Sequence, residues 1–119
     1  MSERTLREKQ AVFHRHLARL ILWAYDQGIE VFIAELYRDP SRQLMLYNQG
    51  KSKTLRSLHL QGLAADLFVI RNQVPILRDV EEYHVLGRKW EEWGGVWGGR
   101  WTSLNDIFHF EYSDQLPDK

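Results

Sequence analysis

A small antiparallel sheet carrying helices, the α+β class, is predicted for this 119-residue chain by three observations. Two long stretches, from about Glu3 to Gln27 and from Asp79 to Trp93, carry apolar residues at helical spacing. Between and after them lie short runs rich in β-branched and aromatic residues, Ile29 to Tyr37, Ala64 to Ile70 and Phe108 to Tyr112. The second run is followed by the polar triplet Arg71-Asn72-Gln73 and then by Val74-Pro75-Ile76, which makes a hairpin. The length suits one domain with a real core and is too short for two, and no repeat, linker or low-complexity segment divides residues 1–119.

In the first helical stretch the apolar positions are Leu6, Val12, Phe13, Leu17, Leu20, Ile21 and Ala24. Gly28 is its stop, because glycine accepts the left-handed backbone of a helix C-terminus. Ile29 to Tyr37 places Ile29, Val31 and Ile33 on one parity and Phe32, Ala34 and Leu36 on the other, the pattern of a strand buried on both faces. Asp39-Pro40-Ser41 breaks it, and Ser41 is positioned to cap a short helix to about Asn48, closed by Gly50. Lys51 to Arg56 is a polar loop. After the strand Ala64 to Ile70, Pro75 assigns the next segment to a sheet edge, since proline cannot donate to a ladder. Asp79 is the expected cap of the second long helix, whose apolar stripe is Val80, Tyr83, Leu86, Trp90 and Trp93 and whose end is Gly94-Gly95. Gly94 to Asn105 is expected as an ordered loop. Phe108 to Tyr112 alternates aromatic residues with His109 and Glu111, a strand with one polar face, and the tail after Ser113 is expected to be loose.

With 16 basic and 16 acidic side chains the formal charge is zero, so no overall field draws the chain to nucleic acid or to an anionic membrane. No cysteine is present, which excludes disulfides, thiolate metal sites and cysteine nucleophiles and leaves His, Asp and Glu to hold any metal. Met1 to Gln10 lacks the apolar run of a signal peptide, and no segment reaches the ~20 apolar residues of a spanning helix. The expectation is a chain made and kept in the cytoplasm, monomeric and without stable membrane insertion.

Chemistry concentrates in Ser57 to Asp66, which sets His59 and Asp66 into otherwise apolar sequence. A carboxylate inside a strand is costly to bury unless it is paired or bound to a cation. His59 and Asp66 lie on either side of Gly62, which suits a loop feeding a strand that returns its carboxylate to the imidazole. Asp106-Ile-Phe-His109-Phe-Glu111 offers a second histidine with carboxylates on either side. Two histidines and one aspartate would make a three-ligand zinc site with a fourth position open, the arrangement of catalytic rather than structural zinc. The competing reading from spacing alone is a pair of satisfied core histidines and a capped aspartate.

Laid out whole, Ser57, His59, Gly62, Ala64 and Asp66 reproduce S-x-H-x-x-G-x-A-x-D, and Asp106, His109 and Phe110 reproduce D-x-x-H-F. Tyr37-Arg38 followed by Gln43, then Tyr47-Asn48-Gln49-Gly50, and Trp97-Gly98-Gly99 fall in order around them, all within residues 33–112. The sequence thereby resembles the zinc peptidases that cut D-amino-acid bonds in peptidoglycan. That group includes D-Ala-D-Ala carboxypeptidases and dipeptidases, and the L-alanyl-D-glutamate endopeptidases of phage endolysins and bacterial wall hydrolases.

The resemblance implies a Hedgehog/DD-peptidase-like fold, Zn2+ as cofactor, His59, Asp66 and His109 as its ligands, and Asp106 as general base. It also implies that Arg38 binds substrate or stabilises the transition state, and that Ser57 and Gln43 support the substrate side of the site. Aspartate rather than glutamate at position 106 points to the endopeptidase branch. Leu36, where the family often has glycine, departs from the pattern and bears on the pose of Arg38. The expected protein is a peptidoglycan L-alanyl-D-glutamate endopeptidase of the phage-lysin kind. It would be held in the host cytoplasm until a separate membrane pore admits it to the stem peptides of the wall, or carried in a virion. The alternatives are a D-Ala-D-Ala carboxypeptidase or dipeptidase, and a catalytically inactive zinc-binding domain of the same fold.

Zinc held by two neutral imidazoles and a carboxylate would keep one positive charge, enough to activate water and polarise a peptide carbonyl. Asp106 would take and return the proton, and Arg38 would face the oxyanion or a substrate carboxylate. Glu111 shares strand parity with His109 and is either the rival base or a hydrogen-bond partner of a ligand imidazole. His14, His16 and His84 are expected to be solvated, Glu35 to pair with Arg38, and Lys51, Lys53 and Arg56, which could meet acidic stem-peptide groups, to be a wet loop instead. Trp90, Trp93, Trp97 and Trp101 are expected to serve the core, or a cleft wall, rather than a sugar-stacking platform.

Overall fold

The computed structural model describes residues 3–52 and 57–119, so Lys53 and Arg56 lie outside the described residues. Helix α1, Leu6–Asp26, begins with a reciprocal cap: the Thr5 hydroxyl accepts from the Glu8 amide and the Glu8 carboxylate accepts from the Thr5 amide. It ends at Gln27, and Gly28 at φ +79° turns the chain into β1, Glu30–Glu35. Helix α2 spans Pro40–Asn48, and a short 3-10 turn, Leu58–Gln61, leads into the long strand β2, Ala64–Arg71. Asn72 and Gln73, both at positive φ, make the tight hairpin turn into β3, Val74–Ile76. Helix α3, Glu81–Glu92, is followed by β4, Val96–Trp97, a 3-10 turn at Gly98–Arg100, and β5, His109–Glu111.

The sheet is antiparallel throughout, in the order β1-β2-β5-β4, with β3 also on β2. Helices α1 and α3 cover one face, where Phe13, Leu17, Leu20, Leu86 and Trp90 meet Leu67, Val69 and Phe110. Each such side chain stabilises the fold by roughly 1.5–3 kcal/mol on burial. Tyr83 ties helix to sheet, its buried hydroxyl donating to the Ile76 carbonyl and accepting from the Val69 amide. Gly87 lets α3 lie against β4, because a Cβ there would stand 2.1 Å from the Trp97 ring.

Several local expectations are corrected. Strand β1 stands at one end of the sheet order with mostly exposed side chains, Phe32 and Ile33 among them. Asp39, not Ser41, caps α2, with Pro40 in the first turn. Val80 occupies the cap position of α3, and Asp79 pairs instead with His84. The segment after Gly94 contains β4 and a 3-10 turn rather than loop alone. The C-terminal tail is docked: Leu116 is fully buried, and Arg4 donates to its carbonyl and to Asp118.

Candidate metal centre

The sheet register builds most of the site. His109 of β5 stands directly opposite Asp66 of β2, so both side chains leave the same face. On the other side of β2, an irregularity between Ile33 and Glu35 brings Glu35 opposite Asp66, where regular pairing would have placed Ala34. His59 arrives from the 3-10 turn. The Ser57 hydroxyl accepts from the His59 amide at 3.2 Å, and Gly62 closes the turn at φ +68°, a backbone that side chains disfavour. Serine, histidine and glycine at this spacing are therefore one local device for aiming an imidazole at β2.

His59, Asp66 and His109 each offer one donor atom, and the three atoms lie within 4.8 Å of one another. His59 Nε2 is 3.4 Å, and His109 Nδ1 3.6 Å, from Asp66 Oδ1. The outer nitrogens settle the tautomers. His59 Nδ1 lies 2.7 Å from the Leu36 carbonyl oxygen, which can only accept, so the proton sits there and Nε2 carries the lone pair. His109 Nε2 lies 2.7 Å from Glu111 Oε1, leaving Nδ1 turned toward Asp66. Leu36, the departure from the family pattern, contributes its backbone carbonyl and not its side chain.

A cation fits this donor set. His59 Nε2 and Asp66 Oδ1 are buried without a hydrogen-bond partner, an expensive arrangement unless something binds between them. Burial works against the Asp66 anion, but the attraction of the adjoining His109 and His59 imidazoles outweighs it and holds the carboxyl at about 2. Burial likewise works against a charged His109, while Asp66 and Glu111 together push it up to about 9. Asp106 is raised above the usual carboxylate range, by burial first and by the charge of Asp66 second.

Asp106 sits at the turn before β5, its Oδ1 accepting from the Phe108 amide at 3.3 Å and its own amide donating to the Gly98 carbonyl at 3.0 Å. Gly98 makes that approach possible, as a Cβ there would stand 2.4 Å from the Asp106 carbonyl oxygen. Arg38 is buried, with Nε on Glu35, a terminal nitrogen on Gln43 Oε1 at 2.9 Å, and the other on Glu35 and 3.7 Å from Asp66 Oδ2. Glu35, Arg38, Asp66 and Asp106 border, with His59 and His109, one cleft of about 500 Å³, whereas Gln43 does not; Trp101 also lines it with its ring 4.8 Å from that of His109.

The family described as D-alanyl-D-alanine carboxypeptidase matches residues 50–112. The chain belongs to this peptidase family. Among its relatives is the L-alanyl-D-glutamate peptidase of a Listeria phage, 32% identical over 100 residues, which covers 80% of this chain and 34% of the relative. The chain thus spans about a third of the length of that curated protein. The crystal structure of the L-Ala D-Glu endopeptidase ChiX of Serratia marcescens aligns with a TM-score of 0.68 at 30% identity, over 90% of this chain and 85% of that one. A variant of the vancomycin-resistance D,D-pentapeptidase VanY from a VanB-type cassette, solved with Zn(II), aligns with a TM-score of 0.64 at 20% identity, over 84% and 70% of the two chains. Its likeness shows the α+β peptidase fold.

Other sequence-predicted placements divide. His14 is exposed, as expected, whereas His16 is fully buried beneath the tail with Nε2 on the Pro117 carbonyl at 2.7 Å. His84 is half-buried against Trp97, away from the cleft. Trp90 and Trp97 are core, Trp93 is half-buried beneath Arg19, and Trp101 is a cleft wall. Sequence reasoning left Arg42 out of the site, since it carries no spacing signal of its own.

Proposed function

We propose that the chain is a zinc metallopeptidase that hydrolyses the L-alanyl-D-glutamate bond of peptidoglycan stem peptides, acting as a phage-type endolysin. The observation that carries this is the pair of partnerless buried atoms, His59 Nε2 and Asp66 Oδ1, facing the same point as His109 Nδ1. The names of the phage and Serratia relatives support the choice of bond, and the zinc in the VanY structure supports the choice of ion.

Bound zinc would supply Lewis acidity, activating water and polarising the scissile carbonyl. The chain supplies the rest. Asp106, with a carboxyl raised above its usual range, takes the proton from water and returns it to the leaving amine. Arg38 braces Asp66 and adds positive potential to the oxyanion's side of the cleft, with Gln43 fixing its guanidinium. Ser57 holds the turn that carries His59. Glu111 orients His109 rather than serving as base, because its oxygen is engaged by that ring.

Mass spectrometry of digested peptidoglycan tests this reading. New amino-terminal D-glutamate is the expected product. The family's description favours a second reading, D-Ala-D-Ala carboxypeptidase, which would release D-alanine instead.

A further inference from the structure

The cleft holds three cations in different states of engagement. Arg38 is spent: its side chain is 9% exposed, and its donors go to Glu35 and Gln43. Arg42, one turn further along on α2, is 43% exposed and touches Glu35 only through Nε at 3.4 Å, so both of its terminal nitrogens are without a partner among the described residues. Lys51 lines the same wall and forms no ion pair with any described residue. On the far helix surface the pattern is the reverse. Arg71, Arg88, Lys89 and Arg100 each meet a carboxylate at 3.0 Å or less.

Glu35 is shared between the two guanidiniums. One of its oxygens is taken twice over by Arg38 and the other meets Arg42 only at Nε, so the two terminal nitrogens of Arg42 are left over. Two cations with unused donors therefore line a cleft that Asp66, Asp106 and Glu111 also line. A cationic wall beside a metal centre selects for an anion on the substrate, and a guanidinium fork is matched to a carboxylate.

We infer that Arg42 and Lys51 form a subsite for a carboxylate of the peptide substrate, set beside the metal centre. This rests on the peptidase reading above. In an L-alanyl-D-glutamate stem joined onward through the glutamate side chain, the free α-carboxylate sits on the carbon that bears the scissile nitrogen, which suits a subsite in the same cleft as the metal centre. A chain-terminal carboxylate is the other source of the same chemistry.

Calorimetry on the zinc-loaded chain separates the two, using Asp106→Asn to slow turnover. The first ligand is L-Ala-γ-D-Glu-L-Lys with its C-terminus amidated, the second the same peptide with the α-carboxylate amidated as well, and the third L-Lys-D-Ala-D-Ala with a free C-terminus. The first is expected to bind about tenfold or more tightly than the second, and Arg42→Gln with Lys51→Gln is expected to erase the difference. Both substitutions are at exposed positions, and unchanged zinc content verifies the fold. Sensitivity of the third ligand alone to the double substitution would keep the carboxylate subsite and remove the endopeptidase assignment. Indifference of all three ligands to the substitution would overturn the subsite, whatever bond the digest shows to be cut.

Discussion

Three buried side-chain atoms lack a hydrogen-bond partner among the described residues: His59 Nε2 and Asp66 Oδ1 in the cleft, and His16 Nδ1 beneath the C-terminal tail. The imidazoles are alike in burial, and each has its other nitrogen on a main-chain carbonyl, His59 on Leu36 and His16 on Pro117. What differs is the surroundings. His59 Nε2 points at an anion 3.4 Å away, with His109 Nδ1 converging on the same oxygen, whereas no second donor set meets His16. Convergence, not burial, is thus what marks a buried histidine as a candidate ligand, and the two regions can be pulled apart experimentally.

The largest effect is expected at the shared carboxylate. Asp66→Ala removes the anion on which both imidazoles converge, and zinc retained after desalting should fall to background along with wall-clearing activity; full metal content would break the comparison. Next comes Glu111, which touches no ion itself. Removing a carboxylate that orients a ligand imidazole typically costs 10–100-fold in metal affinity, so Glu111→Ala should lie in that range by chelator competition. Glu111→Gln, which keeps an acceptor oxygen, should lose less. Equal losses in the two variants would mean that charge rather than orientation matters.

Acid and base should also tell the regions apart. In the zinc-free chain His109 is raised from 6.5 to about 9, so its contribution to stability is complete below 6.5 and is lost as pH rises through 9. Asp66 is lowered from 3.8 to about 2, so its contribution is present above 3.8 and is lost as pH falls through 2. The melting temperature of the chelator-treated protein should therefore decline between pH 6.5 and 9. Saturating zinc should flatten or reverse that decline, since the metal takes His109 unprotonated. A decline that persists unchanged with zinc would place His109 outside the metal centre.

The convergence of His59, Asp66 and His109 was legible in the sequence because its parts are local devices. Ser57, His59 and Gly62 fit within one turn, Asp66 follows on the next strand, and Asp106 and His109 are joined by an i to i+3 turn. The helices and the hairpin were legible for the same reason. What escaped depends on contacts between distant parts of the chain. Helical spacing could not show that His16 is buried, because the cover comes from Leu116 and Pro117, held down by Arg4 more than a hundred residues away. Nor could the apolar parity of Ile29 to Tyr37 reveal an edge strand, since that follows from which strands pair on either side of β2. Arg42 escaped because its spare donors depend on Glu35, seven residues earlier, being shared with Arg38 so that only the Arg42 Nε is met.

The smallest effect belongs to His16, and it should be one of stability alone. His16→Ala opens a cavity against Trp93 and leaves the Pro117 carbonyl without its donor, a loss on the order of 1–3 kcal/mol. His16→Phe fills most of that space and also abolishes the partnerless Nδ1, so it should cost less than the alanine variant in urea unfolding. Zinc affinity should be unchanged in both. If either variant loosened the metal, the tail and the cleft would be coupled through α1, and the separation drawn between the two kinds of buried histidine would fail.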